Sequence, residues 1–235
     1  MLIGYDRSLL EVGVEKEIYA CFKKFPMMAI SGATGWGKTA FEKYLLGTIA
    51  TEEPDAKITL CDFKREDFRY LEDCKRVFTF TDCSKGFDEY LKEFTLRQNG
   101  DSNERCLHIL VFDEWASYLN FTSLTSGNKS ADIEKSKMSN LLMTGRAFSC
   151  HVIVTQQIFY AKHFEGARDN FSLVVNFGNP SKEVVGMWGF DKERLMHAEN
   201  IGEGHILMND TQIPFQSPII RDFDKLDEVI RKVIS

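Results

Sequence analysis

A glycine-rich turn near the amino terminus has the residue types and spacing that bind phosphate. It reads GATGWGKT and lies between an apolar run and a predicted helix. The glycines let the backbone curl until its N–H groups converge on phosphate oxygens, the lysine pairs with β and γ phosphates, and the threonine hydroxyl ligates Mg²⁺. The pattern predicts a nucleoside triphosphate and Mg²⁺ as cofactors. The predicted cofactor-binding residues are Gly32, Ala33, Thr34, Gly35, Trp36, Gly37, Lys38, Thr39 and Ala40.

Two adjacent carboxylates, Asp113 and Glu114, end the apolar run from Leu107 to Phe112. Such a run is typical of a buried strand, which would deliver both acids to the sheet edge where ligands of open α/β sheets bind. We expect Asp113 to organise the Mg²⁺ shell with Thr39. Glu114 would orient and polarise the attacking water, unless it is only a solvated residue at a strand end.

Two further polar residues are candidates for catalysis. Gln156 follows the apolar run from Val152 to Val154, so it would lie beside the Asp113 strand and sense the γ-phosphate; a simple strand-end glutamine is the alternative. Arg146 precedes that strand, near the end of a predicted helix. It would cap this helix or bind a surface carboxylate, or else act as an arginine finger on a neighbouring subunit's nucleotide.

The motifs favour an adenine nucleotide over a guanine nucleotide. The stretch from Asn128 to Asp132 resembles the guanine-reading NKxD but is one residue too long, and it does not follow an apolar strand. The residues from Glu114 to Ala116 also lack the glycine of DxxG. We therefore expect the cofactors to be ATP and Mg²⁺.

The elements that must position these residues alternate between short β-rich runs and longer amphipathic stretches from about residue 26. This alternation predicts an α/β fold with a mostly parallel sheet and helices on both faces. Seven strands are predicted at Met27–Ser31, Lys57–Asp62, Val77–Phe80, Cys106–Asp113, His151–Thr155, Ser172–Phe177 and His205–Met208. Helices are predicted at Lys38–Ala50, Gly86–Gln98, Ile133–Phe148, Lys182–Met187 and Asp222–Ile234, and polar composition predicts loops at Arg97–Arg105 and Asn120–Asp132.

The composition fits one compact domain of 235 residues with a net charge of −6. This charge excludes a dedicated nucleic-acid coat protein but allows local contacts from a few lysines and arginines. Because the apolar runs are far shorter than the roughly 18 residues that cross a bilayer, we expect no transmembrane segment. We read no secretory signal at Met1 to Asp6 and therefore expect a cytoplasmic location. Because the six cysteines include no CxxC pair, we expect reduced thiols.

From Pro26 to Arg221, the order of motifs resembles the FtsK/SpoIIIE/HerA group of hexameric DNA-pumping ATPases, which have the RecA-like P-loop NTPase fold. The tail from Glu199 to Leu207 also resembles that group's GxGDML segment. The other matching stretches are Ser31 to Thr39, similar to SGxTGxGK[ST]; Leu60 to Lys64, similar to a strand ending in DPK; Val111 to Glu114, similar to the DE strand; and Thr144 to Ala147 with His151 to Gln156, similar to GRAxGIHLIxATQ.

The departures from the group's pattern are also informative. Phe63 replaces the proline of DPK, and Gln157 replaces the arginine after TQ. Few residues precede Gly32, so we expect a motor domain without the membrane segments or winged helix of chromosome pumps, similar to motors of mobile elements, phages and plasmid transfer. The resemblance divides the chain into a lead-in segment (1–25), a RecA-like motor domain (26–221) and a C-terminal helix (222–235).

The resemblance implies an ATP-hydrolysing ring, a hexamer in this group, that translocates duplex or single-stranded DNA with Arg146 reaching across the subunit boundary. The segments from Asn120 to Lys137 and from Ile158 to Asn170 would face the pore, with Lys129, Lys162 and Arg168 as candidate DNA contacts, unless these are ordinary solvated side chains. A membrane or relaxase-type protein is a further implied partner. Two alternatives stay open: a protein-secretion motor of the type VII kind and a nucleotide-binding regulatory module.

Overall fold

The computed structural model describes residues 1–102 and 104–234, and within them the strands form a single ten-stranded mixed sheet. The spatial order of the strands is β2-β1-β10-β9-β8-β3-β7-β6-β4-β5. The strands are β1 (Leu2–Asp6), β2 (Glu17–Tyr19), β3 (Met27–Gly32), β4 (Lys57–Asp62), β5 (Val77–Thr79), β6 (His108–Asp113), β7 (Cys150–Gln156), β8 (Leu173–Phe177), β9 (Glu203–Met208) and β10 (Thr211–Gln216).

The six strands from β8 to β5 in the spatial order run parallel, and the other four extend the sheet antiparallel. The carboxyl ends of the parallel strands therefore meet at one edge of the sheet. Among these strands, β6 is buried along its whole length. Its continuous apolar run reflects this burial, since both faces of a parallel sheet are covered.

Helices cover both faces of the sheet. Alternate residues of β6 show this, since Ile109 and Val111 join one core cluster and Leu110 and Phe112 the other. The helices α2 and α7 contribute to the first cluster, and α3, α4, α5 and α6 to the second. The helices are α1 (Arg7–Leu10), α2 (Lys38–Glu52), α3 (Cys83–Gln98), α4 (Trp115–Ser126), α5 (Asn128–Thr144), α6 (Lys182–Trp188) and α7 (Phe223–Ile234).

The predicted α/β class with a mostly parallel sheet is confirmed, and each of the seven predicted strands is present. The predicted strand number was wrong, however, because β1, β2 and β10 were not recognised. These strands are short or only partly buried, so they lack the continuous apolar run that identifies the central strands. Residues 1–25 thus contribute two strands to the common sheet.

The predicted loop Asn120–Asp132 was wrong. The segment is helical, with α4 ending at Ser126 and α5 beginning at Asn128, and the break is confined to Gly127. Hydroxyl side chains made the segment look irregular, but they bond to the helix itself: Thr122 Oγ1 donates to the carbonyl of Tyr118 at 2.9 Å and Thr125 Oγ1 to that of Phe121 at 2.8 Å.

Two other predicted segments include residues outside the described part of the chain. The predicted loop Arg97–Arg105 contains Asn103, and the predicted C-terminal segment 222–235 ends at Ser235. The described part of that segment forms α7. Across the described residues, no helix combines the length and the apolarity needed to cross a membrane.

The close pairing of β8 and β9 predicts that Gly204→Ala destabilises the domain. A Cβ atom on Gly204 would overlap the carbonyl oxygen of Asn176, which is part of the sheet backbone and has little freedom to move. We expect a loss of about 1–3 kcal/mol in the free energy of unfolding, measured by urea denaturation.

Gly186→Ala is the matched control, because a Cβ atom there meets no atom within 4 Å and the residue lies in α6. This substitution should be neutral or stabilising by up to about 1 kcal/mol. Equal effects of the two substitutions would contradict the β8–β9 register.

Candidate nucleotide-binding site

The glycine-rich turn joins the carboxyl end of β3 to the first residue of α2. Gly35 and Gly37 have φ angles of 88° and 94°, a region that residues with a side chain enter only with strain. A cavity of about 420 Å³ opens in front of the turn and is lined in part by Lys38 and Thr39 at the start of α2. Free N–H groups and the helix dipole favour an anion at this position.

The sheet brings the predicted acidic pair to the same place. The strand β7 lies between β3 and β6, so the turn after β3 and the acids at the end of β6 are two strands apart on one edge. Lys38 Nζ lies 3.6 Å from Asp113 Oδ1 and 3.6 Å from Glu114 Oε1. All three side chains are buried. The structure therefore places Lys38, Asp113 and Glu114 in one charged cluster.

Asp113 is the least solvated member of this cluster. Neither of its carboxylate oxygens has a hydrogen-bond partner among the described residues. Burial raises the pKa of Asp113 to about 7, and the nearby carboxylates of Glu114 and Asp62 add to the rise while Lys38 opposes it. A buried carboxylate without a hydrogen bond is costly, and a single ion pair at 3.6 Å compensates this cost only in part.

These residues fit Mg²⁺ that arrives together with a nucleotide. Mg²⁺ is commonly held by one or two carboxylates plus substrate phosphates, without an all-protein cage. In the part of the chain that the structure describes, no group of three or more His, Cys, Asp or Glu side chains could hold a metal by itself. Asp113 and the hydroxyl of Thr39 are the matching ligands, and Thr39 Oγ1 meanwhile donates to Asp67 Oδ2 at 3.1 Å.

The charge of Lys38 is maintained by its neighbours. Burial alone would lower the pKa of Lys38, but the carboxylates of Asp113, Glu42 and Glu114 outweigh it, so the pKa is raised. The ammonium group is therefore available for phosphate oxygens.

Glu42, a buried residue of α2, also belongs to this site and was not predicted from the sequence. Thr155 Oγ1 of β7 donates to Glu42 Oε1 at 2.9 Å, and Oε2 has no partner among the described residues. Burial raises the pKa of Glu42 well above its usual range, and the charge of Asp113 raises it further. The available signal was its spacing with Leu45 and Ile49, which puts an acid on the apolar face of the helix.

Lys64, which lies in the turn after β4, is a second site residue that was not predicted from the sequence. Its Nζ donates to Glu114 Oε1 at 2.6 Å, which is the shortest contact of that carboxylate among the described residues. Lys64 also lines the cavity in front of the glycine-rich turn. Its position two residues beyond a buried strand, at the same sheet edge as the acids, was the signal that could have identified it.

Gln156 lies where the sequence predicts, at the end of β7 beside the acidic pair. Its Oε1 accepts a hydrogen bond from the backbone N–H of Ala116 at 3.1 Å, so it satisfies one of the free N–H groups at the start of α4. Its Nε2 has no partner among the described residues. The contact of Gln156 with a γ-phosphate stays a prediction.

Arg146 is not brought to this site within its own chain. It lies in a 3₁₀ turn, Gly145–Phe148, that enters β7 at its amino end, whereas the nucleotide cavity lies at the carboxyl ends of the parallel strands. The side chain is exposed, and Nη2 donates to the carbonyl of Lys23 at 3.3 Å. Any role of Arg146 in catalysis must therefore involve another subunit.

The candidate DNA-contact residues lie away from the cavity on two segments that contact each other. Lys129 is exposed in the first turn of α5, and Lys162 is exposed with its Nζ 5.6 Å from the centre of the Tyr160 ring. Arg168 is partly exposed and pairs with Asp169 at 3.4 Å. Ser136 of α5 donates to Glu165 at 2.8 Å, which joins the two segments.

Comparison with known proteins identifies relatives of this arrangement. No family model matches the chain. Over 240 residues the chain is 27% identical to the FtsK domain-containing protein YdcQ of Bacillus subtilis (strain 168), a match that covers 93% of this chain and 49% of YdcQ. The chain therefore spans about half the length of this curated relative.

Two solved structures share the fold. The pCW3 conjugation coupling protein TcpA, in its monomer form with ATPγS, matches with a TM-score of 0.76 and 18% identity, over 98% of this chain and 69% of TcpA. The cytoplasmic domain of the Thermomonospora curvata type VII secretion ATPase EccC matches with a TM-score of 0.69 and 14% identity, over 94% of this chain and 26% of EccC.

These likenesses confirm the resemblance that the motif order indicated. The sequence match is to an FtsK domain-containing protein, and the fold matches are to proteins with the same mostly parallel sheet. In motif order, fold and site geometry, the chain is similar to FtsK-like P-loop proteins.

Proposed function

We propose that this chain is an ATP-hydrolysing motor domain that acts in a ring, a hexamer by the resemblance, and moves DNA. The observation that carries the proposal is the buried cluster of Lys38, Asp113 and Glu114 at the edge of the phosphate cavity, with 3.6 Å between Lys38 Nζ and each carboxylate. This cluster supplies a phosphate-binding cation, a metal ligand and a base for water in one place.

Each residue of the site has a defined task in this proposal. Lys38 and the N–H groups at the start of α2 bind the β and γ phosphates. Thr39 and Asp113 hold Mg²⁺, which when bound neutralises charge that develops on the phosphates. Glu114 accepts a hydrogen bond from water and orients it toward the γ-phosphate. The free Nε2 of Gln156 is the donor available to sense that phosphate.

The choice of DNA as cargo is supported by relatives and by surface charge. TcpA is a conjugation coupling protein and YdcQ carries an FtsK domain. In an acidic chain, Lys129, Lys162 and Arg168 all lie on two joined segments, and none of the three lines the cavity. The exposed position of Arg146, far from its own site, supports action on a neighbour's nucleotide. A membrane or relaxase-type partner and a cytoplasmic location complete the proposal.

Protein secretion is the second candidate function. The likeness of the fold to the type VII secretion ATPase EccC favours it. The two functions differ in the cargo that must stimulate turnover, so DNA stimulation distinguishes them.

The central test measures ATP hydrolysis with and without DNA over a range of protein concentrations. We expect DNA to raise kcat and Lys38→Ala to abolish ATP binding.

Glu114→Gln should lower kcat by about 10²–10⁴-fold while ATP still binds, because the amide keeps the shape of the carboxylate but cannot accept a proton. Replacing Lys129, Lys162 and Arg168 together with alanine should abolish DNA stimulation and leave the DNA-free rate intact.

The matched control for the triple variant replaces three cations on other surfaces, Lys75, Lys92 and Lys225. If DNA does not change the kcat of the wild type, the result favours the secretion motor. Wild-type kcat in Glu114→Gln removes this residue from the mechanism.

Subunit mixing tests Arg146. If this residue completes a neighbour's site, Arg146→Ala should lower turnover on the order of 10³-fold and leave ATP affinity unchanged. Mixtures of Arg146→Ala and Lys38→Ala subunits should then regain activity, since some interfaces pair an intact cavity with an intact arginine. Mixed rings no more active than either variant alone would refute the role.

The buried state of Asp113 predicts a pH-dependent stability in protein free of Mg²⁺ and nucleotide. The ordinary pKa of an aspartate carboxyl is 3.8 and burial raises that of Asp113 to about 7, so between these values the folded chain holds a proton that the unfolded chain lacks. Raising the pH from 4 to 7 therefore removes stability. Between pH 4 and 7, the free energy of unfolding of Asp113→Asn should rise relative to that of the wild type by on the order of 1 kcal/mol or more. Urea unfolding of both proteins measures this difference.

In Asp113→Asn the free energy of unfolding should still depend on pH to some extent, because burial also raises the pKa of Glu42. The exposed Asp210 provides the control, since Asp210→Asn should keep the wild-type slope. A constant difference between Asp113→Asn and the wild type across the pH range would contradict the raised pKa of Asp113.

A further inference from the structure

The carboxylate that is proposed to activate water is already occupied by other groups. Lys64 Nζ donates to Glu114 Oε1 at 2.6 Å, and Lys38 Nζ lies 3.6 Å from the same oxygen. Ser117 Oγ lies 3.4 Å from the other oxygen, Oε2. Only 4% of the Glu114 side chain is exposed. A water molecule that approaches the γ-phosphate therefore meets a carboxylate that is engaged on both oxygens.

The contact with Lys64 occupies an oxygen through which Glu114 would hold water. A charge-assisted hydrogen bond to an ammonium group is short and strong, so it competes with a hydrogen bond from water at the same oxygen. A carboxylate held in this way is less able to orient water. In the proposed function Lys38 binds phosphates, whereas Lys64 belongs to a different turn and contacts Glu114 more closely.

Lys64 has a route by which it can leave Glu114. One third of its side chain, 33%, is exposed, and it lines the open cavity. Its long stem allows the ammonium group to rotate into solvent without any change in the backbone. The contact between Lys64 and Glu114 can therefore break by rotation of the Lys64 side chain alone.

The backbone beside Lys64 is attached to the helices that carry a candidate cargo contact. The ring of Phe63 lies 5.8 Å from that of Tyr118 and 5.7 Å from that of Phe121, both in α4. α4 begins directly after Glu114, and α5 follows it after the single residue Gly127. The α4–α5 hairpin is therefore connected both to Glu114, by the chain, and to the Phe63–Lys64 turn, by aromatic contacts.

We propose that Lys64 is a positioning residue that restrains Glu114 in the resting state, and that cargo on the α4–α5 hairpin releases this restraint. This inference rests on the proposed motor function and specifies how its site is regulated. Phe63 replaces a proline of the resembling group and supplies the aromatic contact to α4. The turn after β4 therefore joins the cargo segment to the catalytic carboxylate.

Steady-state ATP hydrolysis without DNA tests the restraint. Lys64→Met should raise the DNA-free kcat about tenfold with an unchanged KM, and the ratio of DNA-stimulated to DNA-free rates should fall toward one. Lys64→Arg, which keeps a cation, should stay near the wild type. Lys85→Met is the matched control, since Lys85 is an exposed lysine of α3 that pairs with Glu89, and it should change neither rate.

Other results would overturn the inference. An unchanged DNA-free kcat in Lys64→Met means that the contact restrains nothing. A lower kcat with a higher KM means that Lys64 binds phosphate and assists catalysis. Either result leaves the motor function in place, because the wild type still hydrolyses ATP.

A double-mutant cycle tests the contact without any need for activity. Urea unfolding of the nucleotide-free wild type, Lys64→Met, Glu114→Gln and the double variant should give non-additive changes, because the first substitution matters only while Glu114 is a carboxylate. Additive changes would overturn the inference. A third outcome would separate the two proposals. If the changes are non-additive and Lys64→Met hydrolyses ATP while the wild type does not, the restraint is supported and a DNA-driven motor is refuted. Absence of hydrolysis in both proteins would refute both proposals.

Discussion

The site depends on the electrostatic balance between Lys38 and the two carboxylates at the end of β6. Asp113 is fully buried without a hydrogen bond from any described residue, and burial raises its pKa to about 7. Lys38 partly compensates this cost and keeps its own charge because of the same carboxylates. Both carboxylate oxygens of Asp113 keep unused coordination capacity. In the proposed function, phosphates and Mg²⁺ complete the cluster, which lies at the edge of an open cavity.

The sheet topology is what produces this cluster. Parallel strands deliver their carboxyl ends to one edge, so residues more than 70 positions apart in the chain become neighbours. Residues at the start of the antiparallel strand β9 also stabilise this edge of the sheet. Arg7 pairs with Glu203 at 2.5 Å, and the N–H of Gly202 donates to the carbonyl of Trp36 in the glycine-rich turn at 3.1 Å. Residues of the first strand-helix unit thus help to hold the phosphate loop.

The sequence alone predicts those parts of the molecule whose structure a short local pattern of residues determines. The phosphate loop and the acids after β6 were predicted because a glycine pattern and a continuous apolar run identify them. Glu42 and Lys64 were not, because their significance lies in partners on other strands, Thr155 and Glu114. The helix α4 was missed for a different reason: serines and threonines are frequent in loops, but here their hydroxyl groups bond to carbonyls one turn earlier.

The corrected α4–α5 hairpin also changes how the candidate cargo contacts are understood. On a loop, every lysine of the segment would be equally available to a phosphate backbone. On a helix, Lys135 is held by Asp132 at 2.8 Å, and Lys137 is held by Asp88 and Glu134 at 2.7 Å each. Lys129 has no ion-pair partner among the described residues, while Arg168 has only a surface pair of the kind that contributes little. The helical structure therefore selects Lys129, with Lys162 and Arg168 on the adjoining segment, as the cations that are free to meet an anionic cargo.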